Sequence, residues 1–152
     1  MIEEGSKAPP FDARSTGGRF SLRDVLESGP LVLFFYPKAS TPGCTNEVNE
    51  FEAWFDRFQE LGVRIAGCST DDLVDQEAFA DRWNGFRFPL IADPDASIAS
   101  AFAVLREDAP RAKRQTVVIA EDGTVVKTYP DAPGDGRGHA EAVFGDCERL
   151  FS

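Results

Sequence analysis

Three cysteines and a single histidine are the residues of this chain best suited to redox or metal chemistry. The cysteines are Cys44, Cys68 and Cys147, and the histidine is His139. An odd number of widely spaced cysteines with no C-x-x-C pair predicts neither a disulfide framework nor a zinc site. We therefore expect no metal and no cofactor, and we interpret His139 as an exposed residue without a role.

One of the cysteines lies where local structure would make it reactive. Thr41 and Pro42 have the residue types of a helix N-cap and a first helical residue, so Cys44 falls in the first turn of a helix. There the positive end of the helix dipole and the free amide hydrogens favour a thiolate over a thiol. Gly43 leaves the backbone open to a substrate, and the Thr41 hydroxyl can donate or accept a hydrogen bond. Cys44 is thus predicted to be a nucleophile.

The segment around Cys44 also carries a family resemblance. Pro37, Thr41 and Cys44 match the P-x-x-x-[TS]-x-x-C motif, and residues 36–47 resemble the bacterioferritin-comigratory (PrxQ) branch of the peroxiredoxins. The resemblance continues through residues 88–95 and 114–123 and covers nearly the whole chain in order. It implies a thiol-dependent peroxidase in which Cys44 attacks hydrogen peroxide or an organic hydroperoxide and becomes a sulfenic acid.

The same resemblance implies roles for the residues around Cys44. Arg114 would lie at the end of its strand beside Cys44, where a positive charge holds the thiolate and orients the peroxide. Glu47, one turn after Cys44, would position that arginine. The backbone of Gly43 and Cys44 would bind the peroxide. The full set of site residues implied is Pro37, Thr41, Gly43, Cys44, Glu47 and Arg114.

The chain departs from this branch in how Cys44 would be reduced again. Many members carry a resolving cysteine at the position of Asn49. Cys68, near the end of a predicted strand, and Cys147, on the apolar side of the last predicted helix, both resemble buried structural thiols. Cys147 is the better candidate to resolve Cys44, because a terminal helix can fray or meet a partner subunit. We expect one-cysteine chemistry, with a thioredoxin-like protein or a low-molecular-weight thiol as reductant.

Two other functions compete with this interpretation. A peroxide sensor or redox relay would pass the oxidation of Cys44 to a partner protein, and the lack of a cysteine at position 49 motivates it. A disulfide reductase of the thioredoxin type is disfavoured, because the chain has no C-x-x-C pair.

The apolar pattern predicts the elements that hold Cys44. Residues 31–36 form a continuous apolar run typical of a strand buried on both faces, and residues 42–61 have the period of an amphipathic helix. A strand over 63–68 would complete a right-handed βαβ unit. The other predicted elements are a hairpin over 11–20, a helix capped by residues 69–72, a strand over 88–92, a helix capped by Asp95, a hairpin of strands 116–120 and 124–129, and a helix over 138–151.

This order predicts an α/β fold, a thioredoxin-like three-layer sandwich with a central mixed sheet and an N-terminal hairpin extension. The length suits a single domain over residues 1–152. The glycine-rich run 134–138 lacks the Lys-Ser/Thr pair of a P-loop, so we interpret it as a flexible loop.

The net charge and the lack of targeting signals indicate which partners and which location to expect. The net charge of −10 at pH 7 disfavours binding to nucleic acid or to a membrane surface. The first residues lack the features of a signal peptide, and no apolar run is long enough to span a bilayer. We expect a cytoplasmic protein that is a monomer or a weak homodimer.

Overall fold

A seven-stranded mixed sheet forms the centre of the computed structural model, which describes residues 1–152. The strands are β1 (Asp12–Ser15), β2 (Gly18–Ser21), β3 (Leu31–Phe35), β4 (Arg64–Ser69), β5 (Leu90–Ala92), β6 (Gln115–Ile119) and β7 (Val125–Tyr129). Their order across the sheet is β2-β1-β5-β4-β3-β6-β7. The pairs β3–β4 and β4–β5 are parallel, and the other four are antiparallel. The predicted N-terminal hairpin is β1–β2, at one edge.

Six helices cover both faces of the sheet. They are α1 (Leu22–Leu26), α2 (Pro42–Ala53), α3 (Phe55–Glu60), α4 (Leu73–Arg82), α5 (Ser97–Ala101) and α6 (His139–Phe151). Buried side chains of α2, α3, α4 and α6 share one apolar core, and those of α1 and α5 share the other. The predicted three-layer sandwich is confirmed.

Strand β3 separates the two cores. All of its residues are buried, and its side chains alternate between the faces, as the pleat of a strand requires. Val32 and Phe34 pack in the core under α2, whereas Leu31, Leu33 and Phe35 pack in the core on the opposite face. The continuous apolar run therefore reflects a strand that is covered on both sides.

The predicted helix over 42–61 is two helices, separated at Trp54. This residue is the C-cap of α2 and the N-cap of α3, with φ −93° and ψ 0°. Its indole ring packs against Phe144 of α6, with ring centroids 5.3 Å apart. Helix α1 was not predicted, because a five-residue helix gives too short a periodic pattern.

The prediction that Asp95 caps α5 is wrong. The N-cap position is Ala96, which has φ +60°, and the buried carboxylate of Asp93 accepts hydrogen bonds from the amides of Ile98 and Ala99 at 3.0 and 2.9 Å. Asp95 accepts only from the amide of Ser97, at 3.1 Å. The side chain that accepts hydrogen bonds from the amides at the start of α5 is therefore that of Asp93, which follows β5 directly and is buried.

The pairing of β3 with β6 determines where the candidate site lies. The two strands are antiparallel, and Phe35 at the end of β3 is opposite Gln115 at the start of β6. The loop that follows β3 therefore lies beside the residue that precedes β6. That loop contains residues 36–41, and the preceding residue is Arg114.

Candidate active site

Cys44 lies in the first turn of α2, as the sequence predicts. The helix begins at Pro42, and Thr41 is the N-cap residue with an extended backbone. Only 1% of Cys44 is exposed. The sulfur is therefore shielded from bulk solvent and close to the amide groups that the helix leaves unpaired.

Arg114 joins Cys44 to Glu47. Its Nη2 donates to Cys44 Sγ at 3.3 Å, and its Nη1 donates to Glu47 Oε1 at 2.9 Å. The arginine side chain is 12% exposed and that of Glu47 is fully buried. The planar guanidinium thus bonds the sulfur and the carboxylate at the same time, a geometry that a lysine could not reproduce.

Burial changes the titration of Glu47. It raises the pKa of this carboxyl to about 7, although the charge and hydrogen bond of Arg114 oppose the shift. The second oxygen, Oε2, is buried and has no hydrogen-bond partner. Glu47 therefore gains a proton near neutrality, and the guanidinium of Arg114 then faces Cys44 without a full negative charge on its other side.

Thr41 and Pro37 lie on the loop that leads into α2. The Thr41 hydroxyl donates to the carbonyl of Lys38 at 2.7 Å and makes no cap hydrogen bond to the helix. Its oxygen remains able to accept a hydrogen bond from a bound molecule. Pro37 and Arg114 line an open groove of about 620 Å³. The other lining residues, all charged, are Arg106, Glu107, Asp108 and Lys113.

The reason for a glycine at position 43 differs from the prediction. A Cβ atom on Gly43 would lie 2.5 Å from the carbonyl oxygen of Gly134 and 3.0 Å from Arg114 Nη2. The glycine therefore allows the run 134–138 to pack on the start of α2. This run is a loop, as predicted, and of its five residues only Gly136 is buried.

Asp71 supports the loop before α2, a role that the sequence does not reveal. Its Oδ2 accepts from the amide of Ala39 at 2.8 Å and from the hydroxyl of Ser69 at 2.6 Å. The pattern at 69–72 predicts helix caps, but the cap of α4 is Asp72 alone. No local signal tells Asp71 from Asp72, because its partner lies 32 positions away in the chain.

His139 is not exposed, and the interpretation of this residue as idle is wrong. It is 4% exposed, and its Nε2 shares a hydrogen bond of 2.8 Å with the hydroxyl of Thr116. Burial, with a smaller effect from the charge of Arg114, lowers its pKa to about 4. The imidazole is therefore neutral at pH 7, and it ties the start of α6 to β6. The glycine-rich run that precedes His139 concealed this burial.

The other two cysteines are buried away from solvent. Cys68 is 1% exposed and Cys147 is 0% exposed, and none of the three cysteines forms a disulfide. Burial raises the pKa of Cys68 well above its ordinary value, and burial with the charge of Asp146 raises that of Cys147 to about 12. Both side chains are therefore thiols at neutral pH, which are poor nucleophiles.

Two further classes of site have no counterpart in the molecule. No three histidine, cysteine or acidic side chains lie together in a way that could hold a metal ion. None of the helices has the length and apolar character needed to cross a bilayer. The groups around Cys44 offer a chemistry of their own: a fixed guanidinium and the amides at a helix start can stabilise negative charge on a shielded sulfur and on an oxygen bound beside it.

Comparison with known families agrees with this geometry. The model of the AhpC/TSA family matches residues 5–128. Peroxiredoxin Bcp of Xanthomonas campestris is 37% identical over 120 residues, which are 75% of this chain and 73% of the relative. A putative peroxiredoxin bcp of Coxiella burnetii is 31% identical over 150 residues, 95% of this chain and 97% of the relative.

Solved structures have the same architecture. The crystal structure of peroxidoxin BcpB from Mycobacterium tuberculosis superposes with a TM-score of 0.91 at 31% identity, over 100% of both chains. The bacterioferritin comigratory protein of Xanthomonas campestris, which has alkyl peroxide reduction activity, gives a TM-score of 0.85 at 30% identity, over 93% of this chain and 92% of the other.

Proposed function

We propose that Cys44 is the residue through which this chain reduces hydroperoxides. The chain belongs to the AhpC/TSA family and is a thiol-dependent peroxidase of the peroxiredoxin class. One observation supports the role of Cys44 most directly. Its sulfur, in the first turn of α2, lies 3.3 Å from the guanidinium of Arg114. The alternative of a peroxide sensor or redox relay is not favoured, because the related proteins are named peroxiredoxins.

In the proposed reaction, the Cys44 thiolate attacks the terminal oxygen of a hydroperoxide. The S–O bond forms as the O–O bond breaks, and the electron pair of the broken bond goes to the departing oxygen. That oxygen takes a proton and leaves as water or an alcohol, while Cys44 remains as a sulfenic acid. Arg114 and the amides of Gly43 and Cys44 would stabilise the charge on the two oxygens, and the Thr41 hydroxyl would orient the peroxide.

The proposed reductant is an external thiol. The sulfenic acid of Cys44 condenses with one thiol to give a mixed disulfide and water, and a second thiol then releases Cys44. Two observations support this one-cysteine scheme: Cys68 packs in the core on the opposite face of the sheet from Cys44, and burial raises the pKa of both Cys68 and Cys147, which disfavours their thiolates. Cys147 remains the candidate for a resolving role only if α6 moves. The physiological thiol would be a thioredoxin-like protein or a low-molecular-weight thiol.

We also propose a cytoplasmic location. The three free cysteines support it, because thiols persist in a reducing compartment.

Stopped-flow mixing of the reduced protein with hydrogen peroxide tests the assignment of Cys44. We expect Cys44→Ser to abolish the fast phase, whereas the control Cys147→Ala keeps it, because Cys147 has a raised pKa and stays a thiol at neutral pH. Intact mass after one equivalent of peroxide should show a monomer with one added oxygen. A Cys44→Ser variant that consumes peroxide as fast as the parent protein would contradict the proposal.

A further inference from the structure

The segment from Pro130 to His139, here called the strap, crosses the first two turns of α2. It links β7 to α6. Along α2 it meets residues 43, 46, 47 and 50, whose spacing places them on one face of the helix. Cys44 belongs to the same two turns, so the strap lies against the element that carries the nucleophile.

Hydrogen bonds join the strap to α2. Asn46 Nδ2 donates to the carbonyl of Asp135 at 3.0 Å. The amide of Gly138 donates to the carboxylate of Glu50, at 3.1 Å to Oε2 and 3.2 Å to Oε1. These contacts hold the strap at two points that are one helical turn apart.

The two backbones approach too closely for a side chain between them. Gly136 has φ +75°, and a Cβ atom there would lie 2.2 Å from the carbonyl oxygen of Gly43 and 2.7 Å from the amide nitrogen of Glu47. Gly43 meets the carbonyl of Gly134 in the same way. Glycines at 43 and 136 are therefore a steric requirement of this contact.

Strand β6 holds both ends of the strap. Gln115 Nε2 donates to the carbonyl of Pro130 at 2.9 Å, and the Thr116 hydroxyl shares its hydrogen bond with His139. These residues follow Arg114 directly. Arg114 thus contacts the nucleophile, and the next two residues in the chain contact the beginning and the end of the strap.

We propose that the strap presses the first two turns of α2 against the start of β6 and so keeps Cys44 within bonding distance of Arg114. Asn46, Glu50 and His139 are then positioning residues for the reaction with peroxide, an inference that rests on Cys44 as the proposed nucleophile. In this proposal the strap also limits access to Cys44, which is 1% exposed, because it holds in place the helix start that buries the sulfur. A small peroxide reaches the sulfur in the closed arrangement, whereas a bulky disulfide reagent needs the helix start to move.

Two rates that change in opposite directions test the strap. In Asn46→Ala we expect the oxidation of Cys44 by hydrogen peroxide to slow roughly fivefold, as the loss of one hydrogen bond implies. We expect its reaction with the bulky disulfide DTNB to become faster by a similar factor. The matched control is Asn49→Ala, which lies one turn further along and bonds only the Thr45 carbonyl of its own helix. Both of its rates should equal those of the parent protein.

A second pair of variants tests the close approach of the backbones. Gly136→Ala should produce the same opposed changes, and larger ones, because the new methyl group meets backbone atoms. Gly134→Ala is the control within the strap, since a Cβ atom there meets nothing within 4 Å. His139→Gln, which can still bond Thr116, should restore most of what His139→Ala loses.

A purely structural role would give a different result. If Asn46→Ala and Gly136→Ala slowed or accelerated both reactions together, or behaved like their controls, the proposal would be overturned. The DTNB measurement contains no peroxide, so it tests the strap even if the parent protein fails to react with peroxide at Cys44. That last outcome would contradict the proposed function alone.

Discussion

At the scale of single residues, the site depends on one guanidinium that serves two acceptors. Arg114 bonds the sulfur of Cys44 and the carboxylate of Glu47, and both acceptors are buried. Because only 12% of the Arg114 side chain is exposed, the loss of either partner would leave its charge poorly compensated. The position of Arg114 is therefore as important to the site as its charge.

Replacement of Arg114 by lysine tests this geometry. The variant keeps the charge, but its single ammonium nitrogen cannot occupy the positions of Nη1 and Nη2 together, so we expect the oxidation of Cys44 by hydrogen peroxide to slow by roughly tenfold or more. Stopped-flow kinetics would measure the change. The matched control is Arg106→Lys in the same groove, whose partner is Asp108. Equal rates for the two variants would show that only the charge matters.

Two buried groups make the stability depend on pH with opposite signs. Burial raises the pKa of Glu47 from 4.5 to about 7, so the folded protein binds the extra proton and becomes less stable as pH rises through this interval. Burial lowers the pKa of His139 from 6.5 to about 4, so the unfolded chain binds the extra proton and the protein becomes less stable as pH falls through that interval. Where the intervals overlap, the two contributions oppose each other.

The variant Glu47→Gln should remove the first contribution and leave the second. Relative to the parent protein, its free energy of unfolding should rise with pH between 4.5 and about 7, by on the order of 1 kcal/mol for each pH unit. Urea unfolding across this range measures the difference. Glu60→Gln, at an exposed position of α3, serves as the control and should follow the parent protein. An unchanged pH profile for Glu47→Gln would refute the assignment.

At the scale of elements, the sequence predicts what depends on neighbours along the chain. The apolar run of β3, the period of α2 and the position of Cys44 in its first turn are all local patterns. The resemblance to the peroxiredoxins predicts that Arg114 lies beside Cys44. The antiparallel pairing of β3 with β6 explains this proximity. The strap, the support from Asp71 and the burial of His139 depend on partners distant in sequence, so no local pattern reveals them.

The cap of α5 provides a test at this scale. Asp93→Ala leaves two buried amides without an acceptor, so we expect the free energy of unfolding to fall by about 2 kcal/mol or more. Asp95→Ala removes one bond at an exposed position and should cost less than about 1 kcal/mol. Urea unfolding of both variants decides the point. The reverse order would reinstate Asp95 as the principal cap.

At the scale of the whole molecule, one sheet with two cores joins all of the elements. Strand β3 contributes side chains to both cores, so we expect the two cores to unfold together. The net charge of −10 opposes self-association, and the exposed large apolar residues are only Val74, Trp83 and Leu150. These features favour a single domain over 1–152 that is a monomer or a weak homodimer.

Thermal unfolding tests whether the chain is a single cooperative domain, and sedimentation velocity measures its oligomeric state. We expect one cooperative transition, seen at the same temperature by far-ultraviolet circular dichroism and by calorimetry. Sedimentation velocity should give a monomer that begins to associate only at high protein concentration. Two separate transitions, or a stable dimer at low concentration, would contradict this description.

The break between α2 and α3 has a practical consequence for observing the site. Trp54 packs against Phe144 of α6, and the chain has one other tryptophan, Trp83, which is 45% exposed. With Trp83 replaced by phenylalanine, all indole fluorescence would come from the junction of α2 with α6. Emission from Trp54 would then report, without any label and in real time, when the nucleophile's helix shifts against its neighbour during a catalytic cycle.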